Sequence, residues 1–256
     1  MTDGHIHFHR QPYTVETINS MVKVAIEKGI DEIWLLDHTH EFYEFDFLYT
    51  HISEPLTLEW FNKEKKRKSI REYLDFVTLI KSMEWPIKIK FGLEVCYFPE
   101  AEDELREIFK TMPELDFKIG SVHYALGAGI DLKKEIQEKF DISELYFDYF
   151  DREKKAVRSG LFDTIGHPGL IKLFGLLPPR SLYISLIEEL AVECEKHNQK
   201  VENNTGSLRY GYPYGGMSPE MLEIFLKHNI KFHRSSDAHV YTDIGRAFDS
   251  VIENTI

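Results

Sequence analysis

Eight of the twelve histidines stand where short apolar runs end, and three acids stand with them. DGHIH places His5 and His7 two residues apart, so a strand would turn both imidazoles to one face, because side chains alternate with period two. LLDH ends in Asp37 and His38, KFGLEV carries Glu94, GSVH ends in His123, TIGHPG holds His167, and SSDAH holds Asp237 and His239. Buried beside apolar strands, such groups are costly unless something pairs with them. One of them alone would read as a satisfied core residue, and Asp237 alone as a helix N-cap. Six strands ending this way point instead to a multinuclear metal centre. Imidazole and carboxylate ligands suit zinc, manganese or iron.

Charge sharpens the chemistry. Three divalent ions, held by neutral histidines with Glu94, Asp237 and one bridging hydroxide as the anions, would keep a net positive charge of about three. That draws an anion, and a phosphate dianion better than a neutral amide. A second feature agrees: in VENNTGSLRYGYPYGG, Asn203, Asn204, Thr205 and Gly206 form a turn at a strand end, with Arg209 three residues beyond Gly206. A guanidinium meets two phosphate oxygens at once. The continuation from Tyr210 to Gly216 reads as a lip or a connector. His197 and His228 each precede Asn at a helix C-terminus, where a cation meets the negative end of the dipole. His51 and His233 receive no role.

The elements that must position these groups alternate along the chain. Strands are expected at 4–8, 33–36, 87–93, 117–122, 164–166, 200–202 and 231–235. Helices are expected at 15–28, stopped by Gly29, and at about 59–83, 101–110, 143–158, 182–196 and 217–227. Strands separated by helices pair in parallel through right-handed crossovers, which gives an α/β sheet or closed barrel with its chemistry at the strand ends. No linker or repeat interrupts the pattern, so one domain over residues 1–256 is the simplest organisation. The charge of −12, from 31 Lys and Arg against 43 Asp and Glu, disfavours nucleic-acid backbones as partners. No apolar run is long enough to span a bilayer, and Cys96 and Cys194 form no paired pattern. Both fit a cytoplasmic protein, with the oligomeric state open.

Taken in order, DGHIH, the DH of LLDH, the Glu of GLEV, SVH, the GH of TIGHPGLIKLFG, NNTGSLR and SDAHVYTDIGR resemble the PHP (polymerase and histidinol phosphatase) family, and within it the histidinol-phosphate phosphatases. The resemblance runs over nearly the whole chain. It implies a distorted (β/α)7 barrel and two or three divalent metal ions. By resemblance His5, His7, Glu94 and Asp237 hold one metal, and Glu94 bridges to a second held by His123 and His167. His38 and His239 hold a third, and Arg209 and Lys172 grip the phosphate. Glu94, Asp237 and His239 thus surround the reaction, in which a metal-bridging hydroxide attacks the phosphate ester. Members commonly carry a further His six residues after the second, completing the third site, where this chain has Tyr13; His9 or His40 could take its place.

The implied activity is hydrolysis of a small phosphomonoester, L-histidinol phosphate foremost. Another phosphomonoester is the near rival. An amidohydrolase would carry a Lys at the end of its fourth strand, where SVH stands here. A nuclease lacks its basic groove, and a non-catalytic metal-binding module leaves Arg209 unexplained.

Overall fold

The computed structural model describes residues 1–64, 68–211 and 216–254. Seven parallel strands form one sheet: β1 (Thr2–His7), β2 (Glu32–His38), β3 (Lys88–Cys96), β4 (Phe117–Ser121), β7 (Thr164–Ile165), β8 (Lys200–Asn204) and β9 (Phe232–Ser235), paired in that order. A two-residue hairpin, β5 (Tyr124–Ala125) with β6 (Ala128–Gly129), lies between the fourth and fifth of them and pairs antiparallel. The sheet curls until its ends meet. The His7 amide donates to the Ala238 carbonyl at 2.8 Å, and Ile6 bridges Ala238 in parallel. Buried Asp3 completes the seam by accepting from the Ser236 amide at 2.9 Å and the Gly245 amide at 2.8 Å. Only glycine fits at position 4, because a Cβ there would lie 2.2 Å from the His233 ring. The result is the nearly closed, distorted seven-stranded α/β barrel that the sequence pattern and the family resemblance imply.

Helices cover the outside: α1 (Val15–Glu27), α2 (Pro55–Glu64), α3 (Ile70–Lys81), α4 (Glu102–Thr111), the short α5 (Lys134–Gln137), α6 (Ile142–Ser159), α7 (Arg180–His197) and α8 (Pro219–Lys227). In α1 the residues at helical spacing, Ile18, Met21, Val22 and Ala25, are the buried ones, Thr14 caps the start, and Gly29 follows the end at φ +69°. The single helix expected over 59–83 is two, α2 and α3. The second starts afresh at Ser69, whose hydroxyl accepts from the Arg71 amide at 3.2 Å, and the Lys-Lys-Arg run at 65–67 lies outside the described residues. Asn198 and Asn229 end α7 and α8 in the left-handed region, at φ +49° and +54°. His197 and His228 thus stand at helix C-termini, as expected.

Three strands run on by two or three residues past the expected ends. β2 continues to His38, so Asp37 and His38 are strand; β3 runs on to Cys96, so Glu94 lies within the strand; and β8 runs to Asn204, so Asn203 and Asn204 are strand rather than turn. The lip or connector at 210–216 falls largely on residues 212–215, outside the described ones. Among the described residues no helix is long and apolar enough to cross a membrane, and both cysteines are unpaired and buried.

Candidate metal centre

Parallel pairing in register brings the strand ends to one mouth of the barrel, and the polar side chains there meet around Glu94. His38 pairs with Glu94 along the β2–β3 ladder, and Ile119 pairs with Glu94 on the other side. The carboxylate is wholly buried and its two oxygens face different groups. Oε2 lies 3.5 Å from His5 Nε2, 3.3 Å from His7 Nε2 and 2.7 Å from His38 Nδ1. Oε1 lies 2.9 Å from His167 Nε2 and 3.2 Å from His123 Nε2. Asp237 Oδ1 closes the first group at 3.3 Å from His7 Nε2 and 3.9 Å from His5 Nε2. The geometry groups the donors as His5, His7 and Asp237; as Glu94, His123 and His167; and as His7, His9 and His38.

Five buried atoms in this cluster make no hydrogen bond: His7 Nδ1, His9 Nδ1, His38 Nδ1, His167 Nδ1 and Glu94 Oε2. Orphaned buried polar atoms are rare in folded proteins, and so many in one place fit a site that binds a ligand through them. Nitrogen and oxygen lone pairs aimed at each other across about 3 Å fit a cation. Two ligand candidates also hold strained backbone, His167 at φ +29° and Asp237 at φ +52°. Such strain persists where the surroundings impose it and gathers at functional sites.

Protonation follows the same logic. Burial lowers His7, His38, His40 and His239, and neighbouring imidazoles add to this, leaving His40 at about 3 and His239 at about 4. These rings are neutral at neutral pH, the form that binds metal. Burial pushes Glu94 up, but His38, His123 and His5 outweigh it and hold the carboxyl well below its usual range. His5 and His123 go the other way. Burial lowers them, yet Glu202 and Glu94 raise His5, and Cys96 and Glu94 raise His123.

Sequence reasoning gave no role to Glu202. It is buried beneath the centre and accepts from His5 Nδ1 at 2.9 Å, the His167 amide at 3.0 Å, Ser235 Oγ at 3.0 Å and Asn204 Nδ2 at 3.2 Å. It thereby orients His5 with Nε2 toward the cluster, as carboxylates behind metal-binding histidines do. Cys96 Sγ stands in the corresponding place behind His123 Nδ1, at 3.3 Å. The only signal for Glu202 was an acid in the short strand KVENN, among other polar residues, and a sequence does not say which His it backs.

Tyr13, at the position of the family's further His, faces away. Its ring stacks on Phe76 at 5.2 Å, and its hydroxyl donates to Asp37 Oδ2 while accepting from Lys68 Nζ at 2.6 Å. β1 ends at His7, so His9 lies in the following turn rather than on the strand face. That turn still brings its ring to 5.3 Å from His38 and 5.5 Å from His239, while His38 and His239 are 5.9 Å apart. His40 stacks on His38 at 4.6 Å but belongs to none of the three donor groups.

A cavity of about 280 Å³ opens over the centre, with His38, His123, His167, Asp237 and His239 in its floor. Arg209 and Lys172 both reach its wall. Arg209 Nη2 donates to the Asp237 carbonyl, and its buried Nε makes no hydrogen bond. Burial pulls the Lys172 amine down to about 8.

The PHP domain model matches residues 3–206. The chain belongs to the PHP domain family. It is 27% identical to the "Histidinol-phosphatase" of Bacillus subtilis, covering 98% of each chain, and 25% identical to a "Probable histidinol-phosphatase" of Deinococcus radiodurans, covering 99% of this chain and 92% of the other. Its fold matches a solved histidinol phosphate phosphatase from Lactococcus lactis, complexed with zinc, L-histidinol and phosphate, with a TM-score of 0.69 at 18% identity. The match covers 97% of this chain and 91% of that one. This PHP barrel therefore carries the family's fold, with a donor cluster built to hold metals at its mouth.

Proposed function

We propose that this PHP protein is a metal-dependent phosphomonoesterase, acting as one domain over residues 1–256 and hydrolysing L-histidinol phosphate to histidinol and phosphate in histidine biosynthesis. The observation that carries the reading is the convergence of eight imidazoles and two carboxylates beneath a cavity whose wall holds Arg209 and Lys172. The names of the relatives supply the substrate, and the unpaired cysteines suit a cytoplasmic setting.

Two or three divalent ions, zinc, manganese or iron, fit the donor set. His5, His7, Glu94 and Asp237 would hold the first, Glu94, His123 and His167 the second, and His38, His239 and His9 the third. When bound, such ions lower the pKa of water and offset the charge of a transferring phosphoryl group. The chain's own residues do the rest. Glu202 and Cys96 fix the orientation of His5 and His123, and Glu94 couples the two groups through its separate oxygens. Arg209 and Lys172 bind and orient the phosphate so that its ester bond lies over Asp237 and His239.

A phosphate-release screen over small phosphomonoesters, run beside metal analysis of the same preparation, tests the reading. Release from L-histidinol phosphate well above other esters is the expected result. Turnover of another ester alone would reassign the substrate, and a metal-loaded protein inert on every ester would leave a metal-binding module.

A further inference from the structure

We infer that Asp131 recognises a protonated amine on the alcohol part of the phosphate ester, and so sets the substrate class of the cavity as aminoalkyl phosphates. This rests on the phosphomonoesterase reading and adds to it a residue to which the sequence pattern assigned nothing.

The β5–β6 hairpin is what places Asp131. It folds the chain back so that the Ile130 amide donates to the His123 carbonyl at 3.0 Å, which sets Asp131 one residue from a partner of a candidate metal ligand. The hairpin is held on three sides. Its Gly127 carbonyl accepts from the Ser53 and Glu54 amides, and the Gly129 amide donates to Thr57 Oγ1 at 3.0 Å. Gln137 Nε2 donates both to the Ile130 carbonyl at 2.6 Å and to the Ile171 carbonyl at 2.9 Å, joining this wall to the turn that carries Lys172. Asp131 is therefore a fixed feature of the cavity and not a loose loop acid.

Its surroundings explain what it is for. Asp131 lines the cavity beside Leu132, with Leu170 and Leu173 in the same lining. The carboxylate is half-buried and makes no hydrogen bond or ion pair with another residue among the described residues. A half-desolvated carboxylate without a hydrogen-bond or ion-pair partner of its own is costly, and a cavity that keeps one gains on binding when the ligand brings an ammonium to it. A phosphate ester seated on the metals must direct its alcohol part into the rest of the cavity, between the leucines and Asp131. L-histidinol phosphate carries an ammonium on the carbon adjacent to its ester-bearing carbon. Phosphate therefore selects the metals with Arg209, and the ammonium selects Asp131.

The test compares L-histidinol phosphate with its deaminated analogue, 3-(imidazol-4-yl)propyl phosphate, which keeps the phosphate and the imidazole. The wild type is expected to favour the amine ester in kcat/KM by about ten- to a hundred-fold, the scale of one charge-assisted contact. In Asp131→Asn that ratio should fall to near one, with metal content per chain as in the wild type, and Asp131→Glu should restore part of it. A ratio that survives in Asp131→Asn, a wild-type ratio already near one, or loss of a metal in the variant would each overturn the proposal. Should the metal-loaded wild type hydrolyse neither ester, the phosphomonoesterase reading fails on its own. Calorimetric binding of L-histidinol against its deaminated alcohol, in wild type and Asp131→Asn, would then still decide the role of Asp131.

Discussion

Replacing Glu202 by Gln keeps the shape of the side chain and removes its charge, and the structure says what that costs. One carboxylate oxygen accepts from His5 Nδ1 and Ser235 Oγ, the other from the His167 amide and Asn204 Nδ2. A carboxamide offers one acceptor and one NH2. With its oxygen toward His5, its NH2 confronts the His167 and Asn204 donors. Asn204 cannot answer by turning its amide, because its own oxygen is held by the Gly206 amide at 2.8 Å. Two buried donors thus lose their acceptor, at about 1–3 kcal/mol each, so the metal-free protein should lose roughly 2–6 kcal/mol in urea unfolding. Because the same carboxylate orients His5 in one donor group and fixes the backbone of His167 in another, metal affinity should fall about ten- to a hundred-fold in a chelator-competition titration. The loss should touch two ions rather than one. A Glu202→Gln protein with wild-type unfolding and wild-type metal affinity would show that Glu202 is a bystander.

Removing a candidate ligand by His7→Ala or Asp237→Ala should abolish phosphate release while circular dichroism reports a folded chain, since the ligands stand at the barrel mouth and the core lies elsewhere. Arg209→Ala should act chiefly on KM for the phosphate ester, raising it about ten- to a hundred-fold through loss of a charge-assisted contact, and an unchanged KM would remove Arg209 from the phosphate site. Lys172 has a folded pKa of about 8, below the usual lysine value, so its cation is present below that pH and lost as pH rises through it. The kcat/KM profile should therefore descend above about pH 8, and Lys172→Gln should lack that limb. Counting metals per chain in His9→Ala and His40→Ala tests the third group: one ion lost in His9→Ala alone is the expected outcome, and loss in His40→Ala alone would move the role to His40.

Much of the barrel was legible because a parallel strand ends where its chemistry begins. DGHIH, LLDH, GSVH, TIGHPG and SSDAH each place a polar residue at the rim, and parallel register then leaves those residues nowhere to go but one mouth. The hairpin at 124–129 was not legible, since its strands are two residues long and carry no periodicity. The break before α3 was signalled locally by Ser69, a good N-cap inside a helical pattern, but the amphipathic spacing on both sides masked it. Glu202 and Asp131 lay beyond reach for a different reason. What each does depends on neighbours far along the chain, His5 for one and the cavity for the other, and no local spacing encodes that. Tyr13 shows the converse: its departure from the family pattern was plain in the sequence, whereas its use, clamping Asp37 with Lys68, needed three dimensions.

The seam between β1 and β9, fastened by Asp3 and the His7–Ala238 hydrogen bond, has a consequence for the order of events in the cell. His5 and His7 stand on the first strand of the barrel, while Asp237 and His239, which share a donor group or a ring contact with them, follow its seventh strand. A chain whose seventh strand has not yet docked therefore holds an incomplete donor set, with free imidazoles able to catch whatever ion is abundant. The complete set exists only once that strand has closed against the first. Selective loading belongs after barrel closure, and the ions acquired are those available where the barrel closes.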